Sequence, residues 1–85
     1  IKKDGKNPSL FLQRGNCFLA SQNFEKALSD YNQAIQIKKD FGEAYFNRAN
    51  IYSNIQNSKQ ACKDIKYAAE IGYEPANAYI TFLCK

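Results

Sequence analysis

Apolar side chains recur along this chain at the spacing of an α-helix. Phe11, Gly15 and Phe18 are separated by four and three residues, so they line one face of a helix. The same spacing continues through Ala27, Tyr31 and Ala34. A β-strand would instead need strict alternation of apolar and polar residues, which is absent. The pattern predicts an all-α protein.

Residues that commonly begin or end helices divide this pattern into five segments. Helix starts are indicated at Asn7 with Pro8, at Asn23, at Asp40 with Glu43 in the spacing of a capping box, at Asn57 and at Pro75, and a helix end is indicated at Gly72. We therefore predict helices near residues 8–21, 24–38, 42–55, 58–71 and 75–84. Each of the longer ones is about 20 Å in length.

The chain also repeats itself with a period of 34 residues. The identities at this offset are Arg14 with Arg48, Asn16 with Asn50, Gln22 with Gln56, Asn23 with Asn57, Ala27 with Ala61, Asp30 with Asp64, Ala34 with Ala68 and Ile37 with Ile71. Aromatic residues keep the same period at Phe11, Tyr45 and Tyr79. A period of this length is typical of stacked helical repeats. The sequence therefore contains two full helix-turn-helix units and the start of a third.

The two units resemble the tetratricopeptide repeat, a 34-residue helix-turn-helix unit with aromatic and small residues at set positions. The matching series is Phe11, Gly15, Phe18, Phe24, Ala27, Tyr31 and Ala34 in the first unit, and Tyr45, Ala49, Tyr52, Ser58, Ala61, Ile65 and Ala68 in the second. The resemblance implies an all-α fold, a right-handed α-solenoid of antiparallel helix hairpins with about five helices.

The resemblance also explains the glycine inside the first predicted helix. Glycine costs a helix about 1 kcal/mol relative to alanine, so its presence indicates a close approach of another segment. In the family, the small residue of the first helix faces the small residue of the second. Gly15 is therefore expected to meet Ala27, and Ala49 is expected to meet Ala61.

Domain boundaries follow from the period. Residues 1–7 are expected to be an amino-terminal segment that ends a preceding repeat, because Ile1 lies one period before Ile35. Repeat one spans 8–41, repeat two spans 42–75, and 76–85 is a capping helix. Leu83 stands where the full units have a small residue, so no second helix is expected to pack against it.

The resemblance implies a concave groove, lined by the first helix of each unit, that receives a peptide or a short helix. The residues placed on this face are Leu12, Asn16, Phe46, Asn47, Asn50, Ile80 and Thr81, with Gln13 and Asn54 near the rim. Their amides can hydrogen-bond a peptide backbone while the apolar members contact its side chains. The competing interpretation is that these amides are ordinary helix-surface residues. The predicted function is a non-catalytic protein–protein interaction module.

One subgroup of the family binds the acidic carboxyl terminus of heat-shock chaperones through lysines, asparagines and an arginine. Asn16 and Asn47 match its asparagines. However, Leu12 and Asn77 stand where that subgroup has lysines, and Thr81 stands where it has arginine. Binding of a chaperone tail is therefore not predicted, because the charge pairing with carboxylates is missing.

Enzyme chemistry is not indicated. The sequence has no histidine to act as a base or ligand, and no glycine-rich phosphate loop or nucleophile elbow. The carboxylates Glu25, Asp30, Glu43 and Asp64 are expected on solvated helix faces or at helix starts. We predict no catalytic residue, no cofactor, no metal site and no small-molecule substrate.

The cysteines Cys17, Cys62 and Cys84 are widely spaced and form no C-x-x-C pair. They are predicted to be reduced and buried, in preference to a disulfide or a zinc site. Reduced cysteines fit a cytoplasmic location, which is otherwise left open. No segment approaches the roughly 18 apolar residues of a membrane span, so no membrane association is predicted.

Two other functions remain as alternatives. The segment AYITFLC is apolar nearly all round, which suggests a structural scaffold that forms a homo-oligomer through the C-terminal helix. A formal net charge of +4 raises nucleic acid as a partner, with lysines at Lys2, Lys3, Lys6, Lys38 and Lys39. No aromatic residues alternate with these lysines, so solvation explains them better, and an RNA-binding helical repeat ranks last.

Overall fold

Residues 7–84 are described by the computed structural model, and every regular element in that range is helical. The elements are α1 (Pro8–Ala20), α2 (Phe24–Ile37), α3 (Gly42–Asn54), α4 (Ser58–Glu70), a 3₁₀ turn (Glu74–Ala76) and α5 (Asn77–Leu83). The protein has an all-α helical repeat fold. It divides into two compact units, unit 1 of residues 1–39 with the α1–α2 hairpin and unit 2 of residues 40–85 with the remaining helices.

The predictions of the first four helices are confirmed: each helix begins at the predicted residue and ends one residue earlier than predicted. The fifth, predicted over 75–84, opens as a 3₁₀ turn and is α-helical only from Asn77. The predicted capping box at Asp40 and Glu43 is wrong. Phe41 is the N-cap of α3, and no side chain caps this helix, because Asp40 lies one residue too early.

The helix starts predicted at Asn7, Asn23 and Asn57 are confirmed by hydrogen bonds from backbone N–H groups to asparagine side chains. Asn7 Oδ1 accepts from Ser9 at 2.9 Å at the start of α1, where Pro8 occupies the first turn. Asn23 and Asn57 accept at 3.5 and 3.4 Å from the residues three positions later. Each asparagine therefore satisfies a backbone donor that the first turn leaves unpaired.

Three helices end in the same left-handed turn. The second residue after the last helical one has a positive φ in each case, at Gln22 (61°), Gln56 (63°) and Gly72 (97°). After α1, the Asn23 N–H donates to the Phe18 carbonyl at 2.8 Å, which is the long hydrogen bond of a Schellman motif. Gly72 adopts this conformation without cost, whereas the two glutamines adopt it at some expense.

Gly15 makes room for the ring of Tyr31. A Cβ atom added at Gly15 would lie 2.6 Å from Cε1 and 2.9 Å from Cδ1 of that ring, which is fully buried. The expected partner, Ala27, is also fully buried, but the three atoms nearest to the added Cβ all belong to Tyr31. The contact of Gly15 with Ala27 stays a prediction, while the structure shows that the glycine accommodates the aromatic ring of Tyr31.

Unit 2 has different residues at the positions equivalent to Gly15 and Tyr31. Ala49, Ile65 and Ala68 form a buried cluster with Ala76. Ala49 and Ile65 occupy the positions one period after Gly15 and Tyr31, so a methyl group has been added where the facing side chain is smaller. Ala61, the expected partner of Ala49, is buried but does not belong to this cluster.

Two arginine–aspartate pairs repeat with the same period. Arg14 donates to Asp30 at 2.7 and 2.9 Å, and Arg48 donates to Asp64 at 2.7 and 2.8 Å. The aspartates are only 3% and 4% exposed, so the expectation that they lie on solvated faces is wrong. A buried carboxylate needs such a partner because removing its charge from water is costly.

Cys62 of α4 and Cys84, immediately after α5, form a disulfide with their Cα atoms 4.8 Å apart. The prediction of reduced cysteines is wrong for these two. Folding brings together residues that are 22 positions apart in the sequence. Cys17 is free, as predicted, but it is exposed rather than buried.

Some expectations fall on residues 1–6, outside the described range. They concern Ile1 as the end of an earlier repeat and the lysines Lys2, Lys3 and Lys6. Within residues 7–84, no helix combines the length and the apolar character that crossing a bilayer requires.

Candidate binding site

Unit 2 contains a cavity of about 300 Å³ bounded by α3, α4 and α5. Its lining residues are Phe46, Asn50, Ser53, Ile65, Tyr79, Phe82 and Leu83. Small-ligand pockets range over roughly 300–1,000 Å³, so this volume is at the lower end of that range. It suits one or two side chains of a larger partner better than a complete small molecule.

Helical spacing brings the α3 residues of the cavity together. Phe46, Asn50 and Ser53 follow at steps of four and three residues, so they lie on one face of the helix. Ala49, three residues after Phe46, lies at the edge of the same face and packs against Ile65 and Ala68 in the core. Phe46 itself packs against this core cluster and pairs with Tyr79 of α5.

Phe46 is the aromatic centre of this region. Its ring centroid lies 5.3 Å from that of Tyr79, with the rings at 80°, and 5.3 Å from that of Tyr73, with the rings at 54°. Edge-to-face pairs of this kind favour one ring orientation, because the positive edge of one ring meets the negative face of the other. Phe46 is half-buried, while Tyr79 and Phe82 are 44% and 64% exposed. The cavity thus combines a fixed wall with accessible apolar surface.

Asn50 and Ser53 supply the polar groups of the cavity. Both residues are exposed. The side-chain oxygen of Asn50 accepts a hydrogen bond from Asn54 Nδ2 at 2.9 Å, and Asn54 also donates to the Asn50 carbonyl at 2.8 Å. This pair of bonds orients the Asn50 amide, so its NH₂ group is the part that can donate to a ligand.

None of the seven lining residues carries a charge. The nearby Arg48 does not line the cavity. Its guanidinium pairs with Asp64 and lies 5.2 and 5.8 Å from the ring centroids of Tyr45 and Tyr52. The hydrogen bond to Asp64 raises the pKa of Arg48, so this charge is permanent. Burial, reinforced by Glu43, raises the pKa of Tyr73, so its hydroxyl stays neutral at physiological pH. The lining therefore favours neutral ligand groups.

The predicted groove residues of unit 2 do not all meet in this cavity. Phe46 and Asn50 line it. Ile80 lines a different cavity of about 520 Å³, beside Lys66, Ala69, Glu70 and Asn77. Thr81 is exposed and Asn47 is half-buried. Only two of the five predicted positions in this unit therefore share one pocket.

The two predicted groove residues of unit 1 are partly used within their own hairpin. Leu12 is 7% exposed and counts among the core residues. The Asn16 side-chain oxygen accepts a hydrogen bond from the Tyr31 hydroxyl at 2.5 Å. The acceptor that was expected to read a peptide backbone is thus engaged with the buried tyrosine.

Sequence reasoning missed Ser53, Tyr79, Phe82 and Leu83 as members of one pocket with Phe46. The available signal was the repeat itself. Tyr79, Phe82 and Leu83 of α5 lie 34 residues after residues of α3 that α4 covers. No helix follows α5 among the described residues, so none covers these three side chains in the same way.

Family models place the chain among helical repeat proteins. A model described as "TPR repeat" matches residues 15–56, and one described as "Tetratricopeptide repeat" matches residues 42–71. Together they cover residues 15–71. The chain belongs to the tetratricopeptide repeat family, as the sequence resemblance predicted, and domains of this family are protein-interaction modules.

Among individual proteins, the chain is similar to dynein axonemal assembly factor 4. It is 31% identical to the protein of Rattus norvegicus over 71 residues, which is 84% of this chain and 17% of the relative. It is 29% identical over 73 residues to serine/threonine-protein phosphatase T of Trypanosoma brucei brucei, covering 86% of this chain and 16% of that protein. The chain therefore spans less than a fifth of the length of these relatives.

A solved structure has the same fold. It is the first TPR of Spaghetti (RPAP3), bound to the HSP90 peptide SRMEEVD. Its TM-score with this chain is 0.87, at 24% sequence identity, over 95% of this chain and 66% of that one.

Proposed function

We propose that unit 2 binds an extended peptide or a short helix of another protein, without catalysis, by enclosing one large apolar side chain in the cavity between α3 and α5. The cavity itself is the observation that supports this proposal. It offers exposed aromatic surface on Tyr79 and Phe82 beside an amide and a hydroxyl. Burial of one large apolar side chain contributes about 1.5–3 kcal/mol, which suits a transient interaction.

The polar groups of Asn50 and Ser53 would form hydrogen bonds with the backbone of the ligand. The Asn50 NH₂ can donate to a peptide carbonyl, and the Ser53 hydroxyl can donate or accept. A backbone contact beside an apolar pocket fixes the register of the ligand, because only one side chain can enter at a time. Asn47, on the same helix, would extend this contact.

The ligand chemistry we propose differs from that of the solved neighbour. That protein is bound to an HSP90 peptide, SRMEEVD, which carries three carboxylate side chains. In unit 2 of this chain, Asn77 and Thr81 stand where the chaperone-binding subgroup of the family has a lysine and an arginine, and the cavity has no charged lining. Charge pairing would therefore contribute little, and a neutral, apolar ligand fits better.

A peptide titration followed by NMR tests this proposal. The probes are SRMEEVD and a counterpart without carboxylates, SRMQQVN with an amidated carboxyl terminus. We expect the carboxylate-free peptide to bind at least as tightly as the acidic one and to shift the resonances of Phe46, Asn50 and Ser53. Shifts confined to α2 and α4, or binding only of the acidic peptide, would reject the proposed pocket or its specificity.

Variants sharpen the same titration. Phe82→Ala should weaken binding several-fold without unfolding unit 2, because this side chain is 64% exposed. Leu10→Ala is the matched control, because Leu10 is 59% exposed but belongs to unit 1. Equal effects of the two variants would show that the cavity has no special role.

Self-association is the second candidate, and the exposure of Phe82 and Tyr79 is the observation that favours it. In that case Phe82→Ser would lower the mass measured by light scattering at high concentration, and Leu10→Ser would not. A monomer at all concentrations, before any substitution, would eliminate this candidate.

A further inference from the structure

The helix that forms one wall of the cavity is intrinsically weak. α5 has seven residues, none of them fully buried, and no side chain caps its start. Isolated helices shorter than about 12–15 residues are marginal in water. The position of α5 must therefore be set by contacts outside the helix itself.

Those contacts are few, and the disulfide is the only covalent one among residues 7–84. Ile80 and Leu83 pack on the core cluster, and Tyr79 meets the edge of Phe46. Cys84, at the end of the helix, is joined to Cys62 of α4. The bond thus fastens the carboxyl-terminal end of a short helix to a longer helix with a buried apolar face.

The cavity depends on this attachment. Tyr79, Phe82 and Leu83, three of its seven lining residues, belong to α5. If α5 detached, Phe46, Asn50 and Ser53 would remain on α3 but would face solvent on that side. The cavity exists only while α5 is docked.

We propose that the Cys62–Cys84 disulfide is a redox-controlled clasp that keeps the peptide site assembled, and that its reduction releases α5 and disables the site. This inference rests on the proposed function for its consequence, peptide binding. The clasp itself is a property of the helices alone.

The reductant is a dithiol. One thiolate attacks a sulfur of the disulfide, forming a mixed disulfide and releasing the other cysteine as a thiolate. The second thiol of the reductant then displaces the remaining cysteine and closes a ring. Two electrons and two protons pass from the dithiol to Cys62 and Cys84, which end as thiols, while the dithiol ends as a cyclic disulfide. Both cysteines are half-buried, so the bond is partly accessible.

Hydrogen exchange on the full chain tests the clasp without any ligand. The Cys84 N–H donates to the Ile80 carbonyl at 2.8 Å, so it is protected only while α5 is helical. After treatment with dithiothreitol, the amides of residues 81–84 should exchange at least about tenfold faster, since exchange follows the undocked population. Amides of α2 should not change. An unchanged rate in 81–84 overturns the clasp.

Two cysteine variants separate the clasp from other effects of the reductant. Cys84→Ser should exchange fast with or without dithiothreitol. Cys17→Ser retains the disulfide and should respond to the reductant as the unmodified chain does. A response in Cys84→Ser, or its loss in Cys17→Ser, would assign the effect to Cys17 and overturn the proposal.

Peptide affinity then tests the consequence. With SRMQQVN-amide as the probe, reduction should weaken binding at least about tenfold if α5 is docked a tenth of the time in the reduced form. By linkage, the peptide should make the disulfide harder to reduce by the same factor. Equal affinity in both redox states overturns the control of binding. If neither state binds the probe, the proposed function fails for that ligand, while the exchange data still decide whether the clasp exists.

Discussion

Replacing Gly15 by alanine is the sharpest test of how the first hairpin is packed. Two effects oppose each other. Alanine favours the helix by about 1 kcal/mol relative to glycine, so on helix propensity alone the variant would be more stable. The added methyl group, however, must share space with the ring of Tyr31.

The structure gives the size of that conflict. The new Cβ would lie 2.6 Å from Cε1 of Tyr31, whereas carbon atoms in contact normally lie about 3.5–4.0 Å apart. The ring must therefore retreat, but it is fully buried, and its hydroxyl is held by Asn16 at 2.5 Å. Overpacking of this kind costs about 1–3 kcal/mol. After the gain in helix propensity, we expect a net loss of about 1 kcal/mol in the free energy of unfolding.

Unit 2 shows how the conflict can be relieved, because it has Ala49 and Ile65 at the equivalent positions. Tyr31→Ile should destabilise unit 1 by leaving a cavity and by removing the bond to Asn16. In the double variant with Gly15→Ala, the methyl group should fill part of that cavity. The losses should therefore be less than additive, by about 1–2 kcal/mol.

Urea denaturation of the single and double variants measures this coupling, with the thermal midpoint as a second reading. A loss of 1 kcal/mol lowers the midpoint by about 4–8 °C in a domain of this size. If Gly15→Ala raises stability, or if the two substitutions are simply additive, the contact between Gly15 and Tyr31 does not explain the glycine.

Other features of the structure give three further predictions. Gln22→Gly and Gln56→Gly should each raise the free energy of unfolding by about 0.5–1 kcal/mol in urea melts, because glycine adopts positive φ freely. A lower free energy of unfolding would show that the glutamine side chains contribute more than the backbone conformation costs. Arg48→Met should lower the free energy of unfolding by about 3 kcal/mol because it leaves Asp64 buried without a partner. The double variant Arg48→Met with Asp64→Leu should recover most of that loss. If it recovers none, the loss comes from packing of the arginine rather than from its charge. Burial, and then Tyr67, raises the pKa of Tyr45 above its ordinary 10.0, so stability holds below pH 10.0 and falls as pH rises through the folded value. A pH series of melts should show a shallower alkaline loss in Tyr45→Phe, and an identical slope would exclude Tyr45 as a contributor.

The helical class, the repeat and the first four helices could be predicted from the sequence because they depend on neighbours in the chain. Asn23 begins α2 and Gly72 ends α4 through bonds to residues a few positions away. The 34-residue period then assigns the same roles to the next unit. The prediction for Asp40 and Glu43 failed because a one-residue shift of the N-cap to Phe41 removes the capping geometry.

The candidate site was predicted less completely. The period places Phe46 and Asn50 on one helix face, and both line the cavity. It could not show that Ile80 turns to another cavity, since that depends on how a seven-residue helix rotates on the core. Nor could it show that the side-chain oxygen of Asn16 accepts a hydrogen bond from the Tyr31 hydroxyl.

Local chain chemistry thus determined which segments of this protein are helical, where most of them begin and end, and that one pattern occurs twice. Tertiary structure alone decided that Asp30 and Asp64 are buried against arginines and that Cys62 meets Cys84. The physical reason is distance along the chain. Helix starts and ends depend on hydrogen bonds within one turn. The two ion pairs and the disulfide instead join residues 16 and 22 positions apart, and only packing determines which distant side chains meet.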